Sequence, residues 1–424
     1  MTDLKVVEIC AGAGGQALGL ERAGFEHALA VELDPNAVDT LRKNRSAWDV
    51  RQGDVADPEV WKPEEFPGMD LIAGGVPCPP FTIAGKQLGA TDERDLFAWA
   101  VRLAERAKPK ALLLENVRGL SANRFAAYRQ NVLDTLQSAG YVAQWKLLHA
   151  ADYGVPQLRP RFVLVALLPE YAEYFSWPEP FEGKRPTVGE TLYKLMAVNE
   201  WKGAKSWAEK ADQIAPTIVG GSKKHGGADL GPTRAKAAWA ELGVDALGIA
   251  NEAPGPDWEP DAGKPGPKLT VEMVSRIQGW KAEDGWEFEG RKTSRYRQVG
   301  NAFPPPVAEA IGRSIARALR KEGPRRELVE TTDAVHDPVY KLLRGLQRPI
   351  SVGQIMSQLQ KAGHHMSEPE VERHIAHLEQ DFVIERVKRS SGSFAYTLGE
   401  FKAFIGQEVH QRHELFSLNQ AKIS

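Results

Sequence analysis

With 54 Lys and Arg against 56 Asp and Glu in 424 residues, the chain is close to neutral, and its overall charge gives no sign of a nucleic-acid binder. Its two cysteines, Cys10 and Cys78, exclude a disulfide framework and a four-thiolate zinc site, and no metal site is expected. No apolar run approaches the roughly 18–20 residues of a membrane span, and the N-terminus lacks the pattern of a signal peptide, so a cytoplasmic protein without a membrane partner is expected.

The first part of the chain alternates strand and helix signals. "KVVEIC" reads as a buried strand, "GGQALGLERAGF" as a helix opened by glycines, "EHALAVEL" as a second strand and "PNAVDTLRKN" as its helix. "MDLIAGGVP", the helical "RDLFAWAVRLAERA" and the apolar "PKALLLENV" continue the rhythm, which predicts a parallel sheet covered by helices. From about Pro169 to Gly266 proline, glycine and tryptophan are frequent and periodicity is weak, predicting a separate, loop-rich small domain. Helical spacing returns in "TVEMVSRIQGW" and in "PPPVAEAIGRSIARALRKEG", which closes the first domain. After a charged linker, three short amphipathic helices and an alternating "FVIERVKRSSGSFAYTL" hairpin predict a winged-helix-like unit, with Ser367 and Glu370 as a capping box and Val371, Ile375 and Leu378 on one face. The expected division is 1–168 with 267–324, then 169–266, then 325–424.

Ligands of parallel sheets sit beyond the C-terminal ends of the strands, and the polar clusters of this sequence fall there. Ala11, Gly12, Gly14 and Gly15 stand where the first strand turns into a helix, so a ligand can approach the backbone amides; the spacing is not that of a nicotinamide-binding loop. Glu32 ends the second strand, where a carboxylate can accept ribose hydroxyls, and Asp54 ends the next, within reach of an adenine amino group. In "GGVPCPPF" the thiol of Cys78 is suited to add to a weakly electrophilic carbon, and Pro77, Pro79 and Pro80 restrict its backbone; a small buried hydrophobe is the alternative reading. Glu115 and Asn116 end a buried strand, and Arg159 and Arg161 alternate in an extended segment, so both point to one side, suited to a carbonyl oxygen and a phosphate or to surface salt bridges.

These residues resemble the DNA (cytosine-5) methyltransferases over roughly 4–315, in the family's own order: "EICAGAGG", "GGVPCPPF", "ENV", "QLRPRF", "LTVEMVSRIQGW" and "YRQVGNAFPPPVAEAIG". The resemblance implies an α/β, Rossmann-like fold that binds S-adenosylmethionine, with a target-recognition domain in the irregular segment, where Thr217 in "APTIVGG" is the landmark. It implies that Cys78 adds to C6 of a flipped cytosine, that Glu115 holds N3 and the exocyclic amine, that Arg161 binds O2 and that Arg159 supports the loop. Cys10, Ala11, Gly12, Gly14, Glu32, Asp54, Pro77 and Asn301 would contact the cofactor. Cys10 stands where the family usually has phenylalanine, and a cysteine cannot stack on adenine; aspartate is commoner than Glu8.

Double-stranded DNA is therefore the expected partner, and the modification half of a bacterial restriction–modification pair the leading reading, its endonuclease acting on the same site without needing to bind the protein. Lys223, Lys224, His225 and Arg234 are candidate readers by charge, and Arg386, Lys388 and Arg389 candidate nonspecific contacts from the C-terminal unit, which could equally serve a protein partner or packing. His374 and His377 read as surface or core residues. A tRNA methyltransferase and a catalytically silent DNA-binding regulator remain as alternatives.

Overall fold

The computed structural model describes residues 4–77, 94–122, 125–220, 228–328, 337–346, 348–390 and 392–402. Two compact units emerge from the described residues: Met1–Val76 with Ala107–Val117 and Lys146–Leu328, and Pro77–Arg106 with Arg118–Trp145 and Val329–Ser424. In this grouping 169–266 falls within the first unit, and 77–106 and 118–145 fall with the C-terminal part.

The first unit is organised by strands whose apolar runs bury both faces. β1 (Leu4–Ile9) pairs in parallel with β2 (Phe25–Glu32) and with β4 (Leu71–Gly74); β2 pairs with β3 (Val50–Gln52) and β4 with β5 (Ala111–Val117), also in parallel. With β7 (Pro160–Leu167) and β6 (Val142–His149) the sheet has the order β3-β2-β1-β4-β5-β7-β6. The all-parallel expectation is corrected at β7, which runs antiparallel to β5 from Ala111↔Leu167 to Val117↔Arg161. Residues 150–159, which join β6 to its neighbour β7, are too few for the helical crossover that a parallel neighbour requires. The polar side chains inside this sheet are paired. Glu8, fully buried on β1, meets His27 Nε2 of β2 at 2.9 Å, and His27 stacks on Trp48 with centroids 4.0 Å apart. Burial raises the Glu8 pKa, and His27 opposes that shift.

Helix α1 (Gly15–Arg22) follows β1, and α2 (Pro35–Asn44) follows β2, opened by Asp34, whose carboxylate accepts from the Asn36 N–H at 2.9 Å. The segment 169–266 is more helical than its sequence suggests. It holds α5 (Pro169–Ala172), α6 (Val188–Met196), α7 (Ala204–Lys210) and α8 (Thr233–Glu241). It also shares one core with α9 (Val271–Gln278) and α10 (Lys292–Asn301), built from Leu192, Met196, Trp207, Trp239, Met273, Ile277 and Tyr296. Two of its tryptophans, Trp207 and Trp239, are buried core residues, and half-buried Trp201 packs edge-on against half-buried Trp258 at 5.2 Å. Helix α11 (Pro305–Leu319) packs along α1.

The second unit contains α3 (Arg94–Ala107) up to Arg106, α4 (Ala126–Ser138) and the C-terminal elements. Phe97 stacks on Trp145 with centroids 5.8 Å apart and tilts against Tyr128 at 6.2 Å. Then come α12 (Pro338–Gly345), β8 (Ile350–Ser351), α13 (Val352–Lys361), α14 (Glu368–Asp381), β9 (Phe382–Lys388) and β10 (Phe394–Phe401), in a sheet of order β8-β10-β9. Val371, Ile375 and Leu378 are buried as their spacing predicts, and the Ser367 N–H donates to Glu370 Oε2 at 2.7 Å. α12 joins α4 through Asp134, which pairs with Arg344 and accepts from the Tyr340 hydroxyl at 3.4 Å.

Candidate active site

The loop after β1 is shaped by its backbone bonds. Gly14 caps α1 in the left-handed region at φ 85°, where only glycine is unstrained. The Gly12 N–H donates to Glu32 Oε2 at 2.7 Å, and the Asp34 N–H donates to Glu32 Oε1 at 2.8 Å. Glu32 therefore ties the glycine loop to the end of β2, while each carboxylate oxygen keeps a second lone pair for a further donor. Burial raises the Glu32 pKa, and the amides of Asp34 and Gly12 counter it. Asp54, just past β3, accepts from the Ala56 N–H at 2.9 Å through Oδ1, whereas its buried Oδ2 has no hydrogen-bond partner. A side chain built at Gly12 would meet nothing within 4 Å. A buried acceptor without a partner past β3 and a glycine loop past β1 that a ligand can approach, at strand ends two positions apart in the sheet, fit an adenosine-containing cofactor. Ala11 is buried and half of that loop's support, its N–H donating to Val31 O at 3.1 Å; Cys10 is half-buried, at φ 51°.

The end of β5 carries the second cluster. Glu115 and Arg161, each 8% exposed, form an ion pair between Oε1 and Nε, held by the antiparallel register of β5 and β7. Burial lowers the Arg161 pKa and Glu115 opposes that; a guanidinium nevertheless stays charged at neutral pH. The Asn116 amide donates to Val76 O at 3.4 Å, and its Oδ1 accepts from the Val117 N–H at 2.8 Å. Val76 is two residues before Cys78, so Asn116 holds the entry to the proline loop. Pro77 is exposed, and Cys78 lies outside the described residues.

Arg159 and Arg161 were expected to act on one side together, and the structure separates their tasks. Arg159 is buried, and its two terminal nitrogens donate to Ile218 O at 2.6 Å, Gly300 O at 2.8 Å and Ala302 O at 2.7 Å. Its terminal nitrogens thus meet three carbonyls of two segments rather than an anion. Burial, with Arg161 as a like-charged neighbour, lowers its pKa. Gln157, buried one step earlier, accepts from the Ile218 N–H at 2.8 Å and donates to Gln278 Oε1 at 2.6 Å. Residues 215–218 thus run beside 156–159, with a parallel bridge at Gln157↔Ala215, and this places half-buried Thr217 at the mouth of the segment.

Two further residues hold the same segment. A Cβ at Gly220 would lie 1.9 Å from Asn301 Oδ1, so this approach of residues 215–220 to the end of α10 requires glycine. The Tyr296 hydroxyl donates to Val219 O at 2.7 Å and also lies against Asp229 O, so it grips both ends of the stretch between them. Gln157 and Tyr296 were absent from the residues singled out by sequence, although both lie inside the quoted motifs. Of the candidate DNA readers, Arg234 is exposed on α8, while Lys223, Lys224 and His225 lie outside the described residues. Lys388 ends β9 and is exposed, and half-buried Arg389 follows it, donating to Gln354 Oε1 at 3.1 Å. His374 pairs through Nδ1 with Asp337 at 2.9 Å, and no cluster of metal-ligating residues occurs among the described residues.

Comparison with known proteins identifies the family. The family model of C-5 cytosine-specific DNA methylases matches residues 4–317. The chain is 62% identical over 428 residues to the type II methyltransferase M.NaeI of Lentzea aerocolonigenes, covering 100% of both chains. It is 52% identical over 319 residues to the type II methyltransferase M.NgoMIV of Neisseria gonorrhoeae, covering 74% of this chain and 98% of that one. Among solved structures, a DNMT2 mutant from Spodoptera frugiperda matches the fold with a TM-score of 0.51 at 16% identity, covering 74% of this chain and 99% of that one. The chain belongs to the C-5 cytosine-specific DNA methylases, enzymes that methylate cytosine in DNA with S-adenosylmethionine as donor.

Proposed function

We propose that the protein methylates C5 of a cytosine extruded from a specific duplex sequence, as the modification enzyme of a type II restriction system. The observation that carries this reading is the buried Glu115–Arg161 pair at the strand end, with Asn116 anchored two residues before Cys78. The identity of 62% to a type II methyltransferase over the whole chain supports the restriction role.

In this reading the Cys78 thiolate adds to C6 of the cytosine, which must leave the stack because C5 and C6 are unreachable inside a duplex. Glu115 engages N3 and the exocyclic amine and Arg161 the O2 atom, which draws electron density from the ring and assists attack. The thioether bond at C6 makes C5 an enamine-type carbon. S-adenosylmethionine supplies an electrophilic methyl group, with Glu32 and Asp54 holding the adenosine and Cys10, Ala11, Gly12, Gly14, Pro77 and Asn301 around it. Loss of the C5 proton and expulsion of the thiolate restore aromaticity. Arg159 acts by holding the 215–220 and 300–302 segments rather than by touching the base. Thr217, Arg234 and the Lys223–Lys224 stretch present the recognition surface.

The C-terminal elements form a winged-helix-like module that adds DNA contacts through its hairpin. α14 begins with the acidic Glu368 and Glu370, which repel phosphate, so Arg386, Lys388 and Arg389 of the hairpin carry the contact. A duplex containing 5-fluorocytosine tests the chemistry: with cofactor present, the wild type should form an adduct that survives detergent, and Cys78→Ser should not. A wild type that forms no adduct on a methylatable duplex overturns the covalent route.

A further inference from the structure

The segment 281–290, between α9 and α10, has no part in the chemistry described so far. It is bonded along most of its length to helices α1, α2 and α10. Asp284 pairs with Arg22 at the end of α1. The Glu287 N–H donates to Asn44 Oδ1 at 2.9 Å, and Asn44 Nδ2 donates back to Glu287 O at 2.7 Å. The Glu289 N–H donates to Thr40 Oγ1 at 2.8 Å, and Gln298 Nε2 of α10 donates to Glu289 O at 2.8 Å.

In the middle of this strap stands Trp286. Its indole N–H donates to Ala13 O at 3.0 Å, inside the glycine loop. A Cβ at Gly14 would come within 2.4 Å of the same ring, so the indole and the loop backbone are in direct contact. The Arg45 guanidinium covers the ring at 5.0 Å, and Arg45 is itself held by Glu21 at 2.7 Å. The loop is thus gripped twice: Glu32 takes the Gly12 N–H, and Trp286 gives a proton to the next carbonyl.

We infer that Trp286 is a positioning residue for cofactor binding, which sets the conformation of the glycine loop from behind; this rests on the reading of that loop as the S-adenosylmethionine site. The indole does not touch the reacting atoms. Its effect is to pre-pay the ordering of a loop whose amides must meet the ligand in one arrangement.

The test compares full-length wild type, Trp286→Phe, Trp286→Ala and Glu32→Gln with tritiated S-adenosylmethionine and unmethylated plasmid DNA. Trp286→Phe keeps a ring in place and removes the N–H. Its KM for the cofactor should rise about three- to tenfold, the loss of one hydrogen bond, while kcat and the KM for DNA stay within about twofold. Trp286→Ala should raise the cofactor KM further, and Tm is recorded for each variant. The inference is overturned if Trp286→Phe leaves the cofactor KM unchanged while Glu32→Gln raises it. It is equally overturned if kcat falls together with Tm and the cofactor KM does not move, since that marks a purely structural role. If Glu32→Gln also leaves the cofactor KM unchanged, the assignment of the loop itself fails and takes this inference with it.

Discussion

The end of β5 and β7 and the C-terminal hairpin both carry arginines, and they treat them in opposite ways. At the strand ends Arg159 and Arg161 are buried, and carbonyls or a carboxylate take their donors. On the hairpin Arg386 pairs with Glu379, half-buried Arg389 leans on Gln354, and Arg386 and Lys388 are exposed. A buried charge without its partner is costly, whereas an exposed pair contributes about 0–1 kcal/mol. The first region is therefore built for geometry and the second for adjustable contact. A relative that is 98% covered by 74% of this chain supports the view that the second is an addition to a working core.

Substitutions can break this contrast, and the largest effect belongs to Arg161. Arg161→Ala leaves Glu115 buried without its cation and should cost about 3–5 kcal/mol in chemical denaturation, in addition to abolishing methylation. Arg159→Ala should come next, at about 3 kcal/mol or more, because three carbonyls on two segments lose their donor; a thermal melt reads it, and Arg159→Lys should recover only part. Tyr296→Phe removes one hydroxyl and should cost about 1 kcal/mol, with the KM for DNA rising while the cofactor KM holds.

The hairpin side should respond weakly in stability and clearly in salt. Lys388→Ala and Arg389→Ala should each lower the salt slope of DNA binding by about 1 and leave the melting curve in place. Slopes equal to wild type would assign the module to a role other than phosphate contact. The smallest effect is at His374, whose pKa is raised by its hydrogen bond to Asp337. A raised folded pKa means that its stabilisation is fully present below the unfolded value of about 6.5 and is lost as pH rises through the folded pKa. The His374→Gln variant should therefore differ from wild type by under about 1 kcal/mol at acidic pH and converge with it above neutrality, as followed by urea denaturation at several pH values.

Much of this was legible in the chain. The alternation that marks β1, α1, β2 and α2 is local, and so is the apolar face of α14, where Val371, Ile375 and Leu378 are buried as spaced. The reversal of β7 was not legible, because "RFVLVAL" is equally apolar in either direction. Neither were the helices of 169–266, whose short lengths and many tryptophans conceal a period that burial in a shared core completes. Trp286, Tyr296 and Gln157 each work through partners far along the chain: Ala13, Val219 and Ile218.

By itself, then, the sequence determined which elements form, the order of the motifs and the side-chain chemistry at each strand end, since propensity, periodicity and residue type act within a few neighbours. Tertiary structure alone decided that Arg159 is a buried tie rather than an anion clamp, that Trp286 reaches the glycine loop and that Tyr340 meets Asp134. A hydrogen bond's partner is set by which distant segments packing brings within about 3 Å, and no local pattern carries that information.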